Sequence, residues 1–165
     1  MILDLCEIPD DKRFEDLIVS YFEDLKLKKS NNIVDVKVQP SGVGTDGGRD
    51  VLVTLGISDG IVTFQKIWVV QCKFHASNIS TNQISDINIP TLIHSYDASG
   101  YLLICREKPT SKLTDLFERL ETNCMFKRKY MVWSGEQFKS KIITNMKILE
   151  QFFPGYYAYV LNLRK

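Results

Sequence analysis

The chain has 165 residues, a formal net charge of +1 and 44% hydrophobic residues. This length and composition suit one ordinary hydrophobic core, so we expect a single domain over residues 1–165. The near-neutral charge excludes a strongly basic protein, and any nucleic-acid binding must depend on local patches. The four cysteines form no C-x-x-C pair, and no signal-like or membrane-length apolar segment is present. We therefore expect a cytoplasmic protein with reduced thiols and no membrane partner.

The first half of the chain predicts one helix followed by a three-stranded meander. Apolar residues at the three-four spacing of a helix predict an amphipathic helix over about 9–28. Alternating or β-branched residues predict strands at about 33–38, 50–55 and 61–74. Ser58-Asp-Gly60 is typical of the hairpin turn between the last two strands.

Helices and strands alternate in the second half. We expect helices over about 78–96, 110–121 and 134–152, and strands over about 100–105, 129–133 and 156–163, the last at a sheet edge. Pro90 is expected to bend or divide the first of these helices, and Thr110 or Ser111 to cap the second. Ser134 and Gln137 predict a capping box for the third. The order αβββαβαβαβ predicts a mixed α/β domain, with a core at about 9–106 and an extension at about 107–165.

The stretch GVGTDGGRD at residues 42–50 matches the dinucleotide fingerprint G-x-G-x-x-G. A dinucleotide site needs a helix after the glycines, whereas a strand is predicted there. A phosphate-binding P-loop is also excluded, because no Lys-Ser/Thr follows the glycines. The glycines instead predict a strand-to-strand connection that delivers Asp46 and Asp50 to a site.

Two polar residues end the third predicted strand. Alternation places Gln71 and Lys73 on one face and Cys72 on the other. Either the strand edge is solvated or the lysine has a polar partner, because an unpaired buried cation is costly. Asp50 begins the neighbouring strand of the meander and is expected beside them.

A carboxylate, an amide oxygen and a backbone carbonyl form a ligand set that a hard divalent cation such as Mg²⁺ prefers. Such a cation would leave coordination positions for water and a substrate phosphate. Lys73 would then orient the nucleophile or stabilise developing charge, an arrangement suited to phosphodiester hydrolysis.

The motifs Asp46-Gly-Gly-Arg-Asp50 and Gln71-Cys-Lys73, behind a helix that carries Glu15, resemble the PD-(D/E)xK nuclease superfamily. They resemble in particular its Mrr-like type IV restriction endonuclease branch, in which glutamine replaces the usual acid. The resemblance implies a restriction-endonuclease-like fold with an αβββαβ core. It also implies a catalytic set of Glu15, Asp50, Gln71 and Lys73, with Asp50, Gln71, Cys72 and Glu15 as the ligands of Mg²⁺ or Mn²⁺.

Glu15 lies at the border of the predicted buried face of its helix and is the acid best placed to reach inward. The alternative is an ordinary first-turn glutamate that favours the helix dipole. Asp46 is interpreted either as a metal ligand or a residue supporting the ligands, or as a plain turn residue. Arg49 and Lys37 are candidate phosphate contacts, although a solvated strand face explains both equally well.

We therefore expect a metal-dependent DNA endonuclease that acts as the effector of a restriction or antiphage defence system. A separate sensing domain or subunit is the expected partner, and a homodimer stays open. The alternatives are an inactive nuclease-like module that binds nucleic acid or protein, and a Holliday-junction resolvase. Retention of Asp50, Gln71 and Lys73 together argues against the inactive module, and the near-neutral charge argues against the resolvase. The sequence does not distinguish DNA from RNA, since backbone chemistry dominates these motifs.

Overall fold

The computed structural model describes residues 1–28, 32–41 and 47–163. Its helices are α1 Asp11–Asp24, α2 Ile89–Ser95, α3 Ser111–Thr122, α4 Gly135–Ile142, α5 Met146–Phe152 and α6 Pro154–Leu163. Its strands are β1 Ile33–Pro40, β2 Val51–Ser58, β3 Thr63–Lys73, β4 Gly100–Cys105 and β5 Lys129–Trp133. Short 3-10 helices occupy Leu5–Glu7, Leu25–Leu27 and Thr81–Ile84. Within these ranges no helix combines the length and the apolar character needed to cross a membrane.

The strands form one mixed sheet in the order β1-β2-β3-β4-β5. The first three are antiparallel neighbours, as the predicted meander requires, whereas β4 and β5 run parallel to β3. The predicted turn between β2 and β3 is confirmed: Gly60 has a φ of +92°, and Asp59 Oδ1 accepts from the backbone N–H groups of Ile61 and Val62 at 2.9 Å. A positive φ favours glycine, which explains the residue at this turn.

The strand register brings the start of β2 and the ends of β3 and β4 together. Val51 pairs with Val70, and the backbone N–H of Asp50 donates to the Val70 carbonyl at 3.0 Å. Lys73 pairs with Cys105 at the end of β4. We call this side of the sheet, where β2 begins and β3 and β4 end, the Asp50 edge.

Helices cover both faces of the sheet. On one face α1 packs over β1, β2 and β3, α4 packs over β4 and β5, and α5 packs against α1. The ring of Phe14 lies 5.1 Å from that of Phe74 and 6.2 Å from that of Phe138. On the other face α2 and α3 cover β4, which is buried along its whole length. The apolar side predicted for α1 is confirmed by its buried residues Phe14, Leu17, Ile18, Tyr21 and Phe22. The fold is therefore a three-layer α/β domain with a mixed central sheet.

Capping explains where α1 begins and how it is held. Asp10 Oδ1 accepts from the backbone N–H of Arg13 at 2.7 Å, which satisfies one of the free donors of the first turn. The Arg13 guanidinium lies 4.2 Å from the centre of the Phe152 ring and donates to the Gln151 carbonyl at 2.6 Å. These contacts fix α1, and with it Glu15, against α5.

The expected edge strand at 156–163 is wrong, because these residues belong to α6. Pro154 begins this helix, where its fixed φ suits the first turn and its missing N–H costs nothing. The helix expected over 134–152 has the predicted Ser134–Gln137 capping box but divides into α4 and α5. Asn145 causes the division, since its Oδ1 accepts from the Ile148 N–H at 3.2 Å and so caps α5.

The region 78–96 is divided as predicted, into the 3-10 helix Thr81–Ile84 and α2. Pro90 is not at a bend, however. It lies in the first turn of α2, behind the cap made by Asn88 Oδ1 to the Thr91 N–H at 3.1 Å. A proline there interrupts no helical hydrogen bond.

Candidate active site

The carboxylate of Asp50 accepts two hydrogen bonds from the end of β3. The Gln71 side-chain Nε2 and the backbone N–H of Cys72 both donate to Asp50 Oδ2 at 2.6 Å. Both bonds end on the same oxygen, so Oδ1 takes no part in them. The expected proximity of Asp50 and Gln71 is thus present, and antiparallel pairing of β2 with β3 produces it.

Gln71 is the buried polar residue of this edge, with 5% of its surface exposed. Its Nε2 points to Asp50 and, at 3.4 Å, to the Cys72 carbonyl. Its Oε1 is buried and accepts no hydrogen bond from the described residues. An unpartnered buried acceptor is costly and indicates a missing partner. Reversing the amide would not supply one, because Oε1 would then face the carboxylate.

Burial raises the pKa of Asp50 from 3.8 to about 6. The hydrogen bond from Cys72 and the charge of Lys73 lower this pKa, while the charge of Glu15 raises it. The site therefore holds its carboxylate at a free-energy cost that a bound cation would offset.

Glu15 lies at the partly buried border of α1, with 31% of its side chain exposed. Burial is the largest cause of the raised pKa of both Asp50 and the half-buried Cys72 thiol, and the charge of Glu15 raises both further, so the two acids lie within Coulombic reach of each other. No hydrogen bond joins Glu15 to Asp50; instead Lys12 Nζ lies 3.4 Å from Glu15 Oε2. The sequence analysis did not single out Lys12, although its i,i+3 spacing to Glu15 on a helix predicts this ion pair.

Lys73 ends β3 on the same strand face as Gln71 and is partly exposed. Its carbonyl accepts from the backbone N–H of Arg106 at 2.9 Å, which fixes the strand end. None of the carboxylates in the described part of the chain forms an ion pair with its ammonium group. The group is therefore free of those acids while it lowers the pKa of Asp50.

The other predicted residues have different outcomes. The Arg49 guanidinium lies over the Tyr96 ring at 5.1 Å, and its carbonyl accepts from Ser41 Oγ. Lys37 is exposed on β1 opposite Thr54, three residues or about 10 Å along β2 from Val51, so it is not beside Asp50. Asp46 lies outside the described residues.

Gly47 and Gly48, the described glycines before Asp50, lie in the connection between β1 and β2 that the sequence predicts. Gly47 and Gly48 have φ values of +62° and +96°, a backbone region that disfavours other residues. A Cβ on Gly48 would lie 2.6 Å from Ile87 Cγ1, so this position also needs the close approach. A strand follows, as predicted, which excludes the dinucleotide fingerprint.

Sequence reasoning also missed Tyr101. Its ring is buried against Phe117, and its hydroxyl is buried without a hydrogen-bond partner among the described residues. Burial and the Asp50 charge raise its pKa. The signal in the sequence was a tyrosine within the apolar run 100–105, because a hydroxyl in a buried strand needs a polar partner.

The donor atoms suit a hard divalent cation. In residues 1–28, 32–41 and 47–163, no three His, Cys, Asp or Glu side chains are grouped to hold a metal ion. Among the described residues, a site at this edge would therefore use the amide of Gln71 or a backbone carbonyl in addition to acids. Asp50 Oδ1, the unpartnered Gln71 Oε1 and the Cys72 carbonyl are oxygens of the required type.

The mixed sheet, with an acid at the start of β2 and Gln-x-Lys at the end of β3, places the chain in the class of restriction-endonuclease-like nuclease folds. A family model for the Mrr catalytic domain, described as restriction endonuclease, matches residues 9–122. The chain belongs to this family, which confirms the resemblance seen in its motifs. No curated protein sequence matches the chain.

Two solved structures share the fold. The MspJI restriction endonuclease in complex with a 27-mer oligonucleotide has a TM-score of 0.52 at 12% identity, covering 90% of this chain and 30% of that chain. The DNA modification-dependent restriction endonuclease AspBHI also has a TM-score of 0.52, at 9% identity, covering 98% of this chain and 43% of that chain. This chain therefore spans less than half the length of either neighbour.

Proposed function

We propose that this chain is a nuclease domain that hydrolyses DNA phosphodiester bonds with a divalent metal ion, Mg²⁺ or Mn²⁺. One observation carries the proposal: Asp50, Gln71 and Lys73 converge on one edge, and Gln71 Oε1 is buried there without a partner. Membership of the Mrr family supports this function over other uses of an α/β sheet.

We assign the ligand oxygens to Asp50 Oδ1, Gln71 Oε1 and the Cys72 carbonyl, with Glu15 in reach from α1. A divalent cation held there would withdraw charge from the scissile phosphate and lower the pKa of the attacking water. With one neutral amide in place of an acid, the site carries one negative charge fewer than a site built on two acids and a lysine. We expect weaker metal binding for that reason.

Lys73 is assigned the role of orienting the attacking water and stabilising the negative charge that develops on the phosphate. Its ammonium group is not neutralised by a described carboxylate, so its full charge is available to the reacting groups. Glu15 is assigned to the acidic side of the site, and Lys12 Nζ lies 3.4 Å from both Glu15 Oε2 and Asp16 Oδ1. The Arg106 N–H fixes the strand end that carries Lys73.

The substrate is proposed to be DNA, supported by the MspJI structure, which contains an oligonucleotide. The biological setting that we propose is restriction or antiphage defence in the cytoplasm, since both structural neighbours are restriction endonucleases. Those neighbours have chains more than twice as long, so we propose that a recognition domain or subunit directs this domain to DNA. Arg49 and Lys37 remain predicted phosphate contacts.

Cleavage of a supercoiled plasmid tests the function. We expect nicking with Mg²⁺ or Mn²⁺ and none with chelator. Lys73→Ala should lower the rate at least about 100-fold, the usual cost of removing one group that stabilises transition-state charge. Lys66→Ala is the matched control, because Lys66 is an exposed lysine of the same strand at its far end.

Equal loss in both lysine variants would show that general positive charge, and not the Asp50 edge, supports cleavage. A folded protein that binds DNA but cleaves with neither metal would favour the inactive binding module. An RNA substrate of matched sequence, run in parallel, distinguishes a deoxyribonuclease from a general nuclease.

A further inference from the structure

An open cleft of about 900 Å³ lies between α2 and α3, beneath the loop that leads into β5. Its walls include Ile93 from α2, Leu116 and Leu120 from α3, and Tyr130 from β5. This volume lies within the range of cavities that bind small ligands, about 300–1,000 Å³.

The cleft is remote from the Asp50 edge. Its β5 wall is at the start of the strand, where Lys129 pairs with Gly100, whereas Lys73 pairs with Cys105. Five residues of a strand span about 16 Å. A molecule in the cleft therefore does not occupy the nuclease site.

The charges around the cleft favour an acidic ligand. Arg119, Arg128 and His94 line it, and Asp97 is the one acid among the described residues that line it. Asp97 Oδ1 is already paired with Arg128 at 2.5 Å. In the part of the chain that the structure describes, the exposed Arg119 guanidinium has no ion pair, so its charge is left for a ligand.

The apolar wall favours a flat ring. Phe126 lines the cleft although 72% of its surface is exposed, so most of its ring has no protein contact. Leu116 and Leu120 are half-buried on the facing side of α3. A flat apolar ring placed against Phe126 would cover this surface and leave an acidic substituent near Arg119.

Helix α2 connects the cleft to the loop before Asp50. Ile93 and His94 line the cleft. Leu92, one residue earlier, lies 3.8 Å from the position of a Cβ on Gly47, and Tyr96 at the end of α2 lies under the Arg49 guanidinium at 5.1 Å. Ligand contacts that shift or rigidify α2 therefore act directly on residues 47–50.

From these contacts we infer that the α2–α3 cleft binds a small ligand with a flat apolar ring and an acidic group. We infer also that α2 transmits the binding of this ligand to residues 47–50. The cleft is a second site whose occupant regulates the domain. Coupling of this kind requires that the ligand bind one state of α2 better than another.

Titration with 8-anilinonaphthalene-1-sulfonate, which carries a flat naphthalene ring and a sulfonate, tests the binding. We expect one saturable site, weakened at least about five-fold by Arg119→Gln and by Phe126→Ser, which corresponds to about 1 kcal/mol each. Both residues are exposed, so neither change should unfold the chain. Phe64→Ser is the control, since Phe64 is another exposed ring beside a lysine, with Lys66 at 6.0 Å.

Binding that does not saturate, or that Arg119→Gln leaves unchanged, would overturn the site. Displacement of the probe by a short DNA duplex but not by small aromatic acids would overturn the ligand class and assign the cleft to nucleic acid.

Hydrogen exchange tests the transmission and needs no nuclease activity. With saturating probe we expect slower exchange in α2 and in residues 47–52. Tyr96→Ala should reduce the effect on the loop with at most a small change in probe affinity, because Tyr96 contacts Arg49 and does not line the cleft, while the Leu92 contact with Gly47 stays. Protection of α2 without any change in the loop would overturn the coupling.

Discussion

Asp50→Asn should stabilise the metal-free protein at neutral pH. Both hydrogen bonds to Asp50 end on Oδ2, and an asparagine Oδ1 in the same place accepts both. Only the charge is lost, and burial disfavours that charge. The pKa of Asp50 rises from 3.8 to about 6, about two units, which sets an upper bound of about 3 kcal/mol. Because the carboxylate is partly exposed and screened by solvent, we expect a gain of about 1–2 kcal/mol.

The sign of the pH dependence follows from the raised pKa. Between pH 3.8 and about 6 the folded state binds more protons at Asp50 than the unfolded state, so this residue lowers the free energy of unfolding as pH rises through that window. The advantage of Asp50→Asn should be complete above about pH 7, about one third as large at pH 4.5, and absent only below about pH 3.

Urea unfolding in chelator at pH 7.5 and pH 4.5 measures this difference. Asp86→Asn, which changes an exposed acid, is the control and should have little effect at either pH. An Asp50→Asn protein that is less stable than the wild type at pH 7.5, or equally shifted at both values, would refute the assignment of a buried, costly carboxylate.

Three further predictions concern the metal, the glycine loop and the core. Mg²⁺ at ten times its dissociation constant should stabilise the wild type by about 1.4 kcal/mol and leave Asp50→Asn unchanged in thermal unfolding; equal shifts would place the ion elsewhere. Gly48→Ala should cost more in urea unfolding than Gly60→Ala, by about 1–3 kcal/mol, because both have φ above +90° but only Gly48 would contact Ile87, at 2.6 Å; equal costs would contradict the close packing. Phe138→Ala should cost about 3–5 kcal/mol in the same assay, since this ring is fully buried; a cost below 1 kcal/mol would contradict its place in the core.

Local patterns predicted most of the sheet because each strand carries its own signal. Alternation and β-branched residues identified β1, β2 and β3, and Ser58-Asp-Gly60 identified their hairpin. The ends of the strands were harder to predict than their presence. Strand β2 extends to Ser58, three residues beyond the predicted end. Pairing with β3 extends the strand there, since Ser58 pairs with Thr63, and such pairing is not a local property.

The C-terminal segment shows where local pattern fails. Tyrosine and valine favour strands, but their preference is weak and packing decides between strand and helix. Pro154 and contact with α5 favour a helix here. Similarly, Asn145 was a readable cap signal that divides α4 from α5, and it also donates to Asp24 Oδ2 at 2.5 Å, a contact 121 residues away in sequence.

For the candidate site, strand parity was sufficient to place Gln71 with Lys73, and strand order to place Asp50 beside Gln71. The burial of this edge could not be predicted from the sequence. The unpartnered Gln71 Oε1 and the raised pKa of Asp50 both depend on how completely the rest of the fold covers the edge. The cation–π contact between Arg49 and Tyr96 also depends on tertiary packing, because 46 residues separate the two in sequence and no motif links them.

The central claim is that Gln71 is a metal ligand and Lys73 acts on the reacting groups, and the dependence of plasmid cleavage rate on Mg²⁺ concentration tests it most directly. Gln71→Ala should raise the Mg²⁺ concentration needed for half-maximal rate by about ten-fold or more, whereas Lys73→Ala should lower the maximal rate with little change in that concentration. A Gln71→Ala protein with an unchanged Mg²⁺ requirement and full rate would contradict the account.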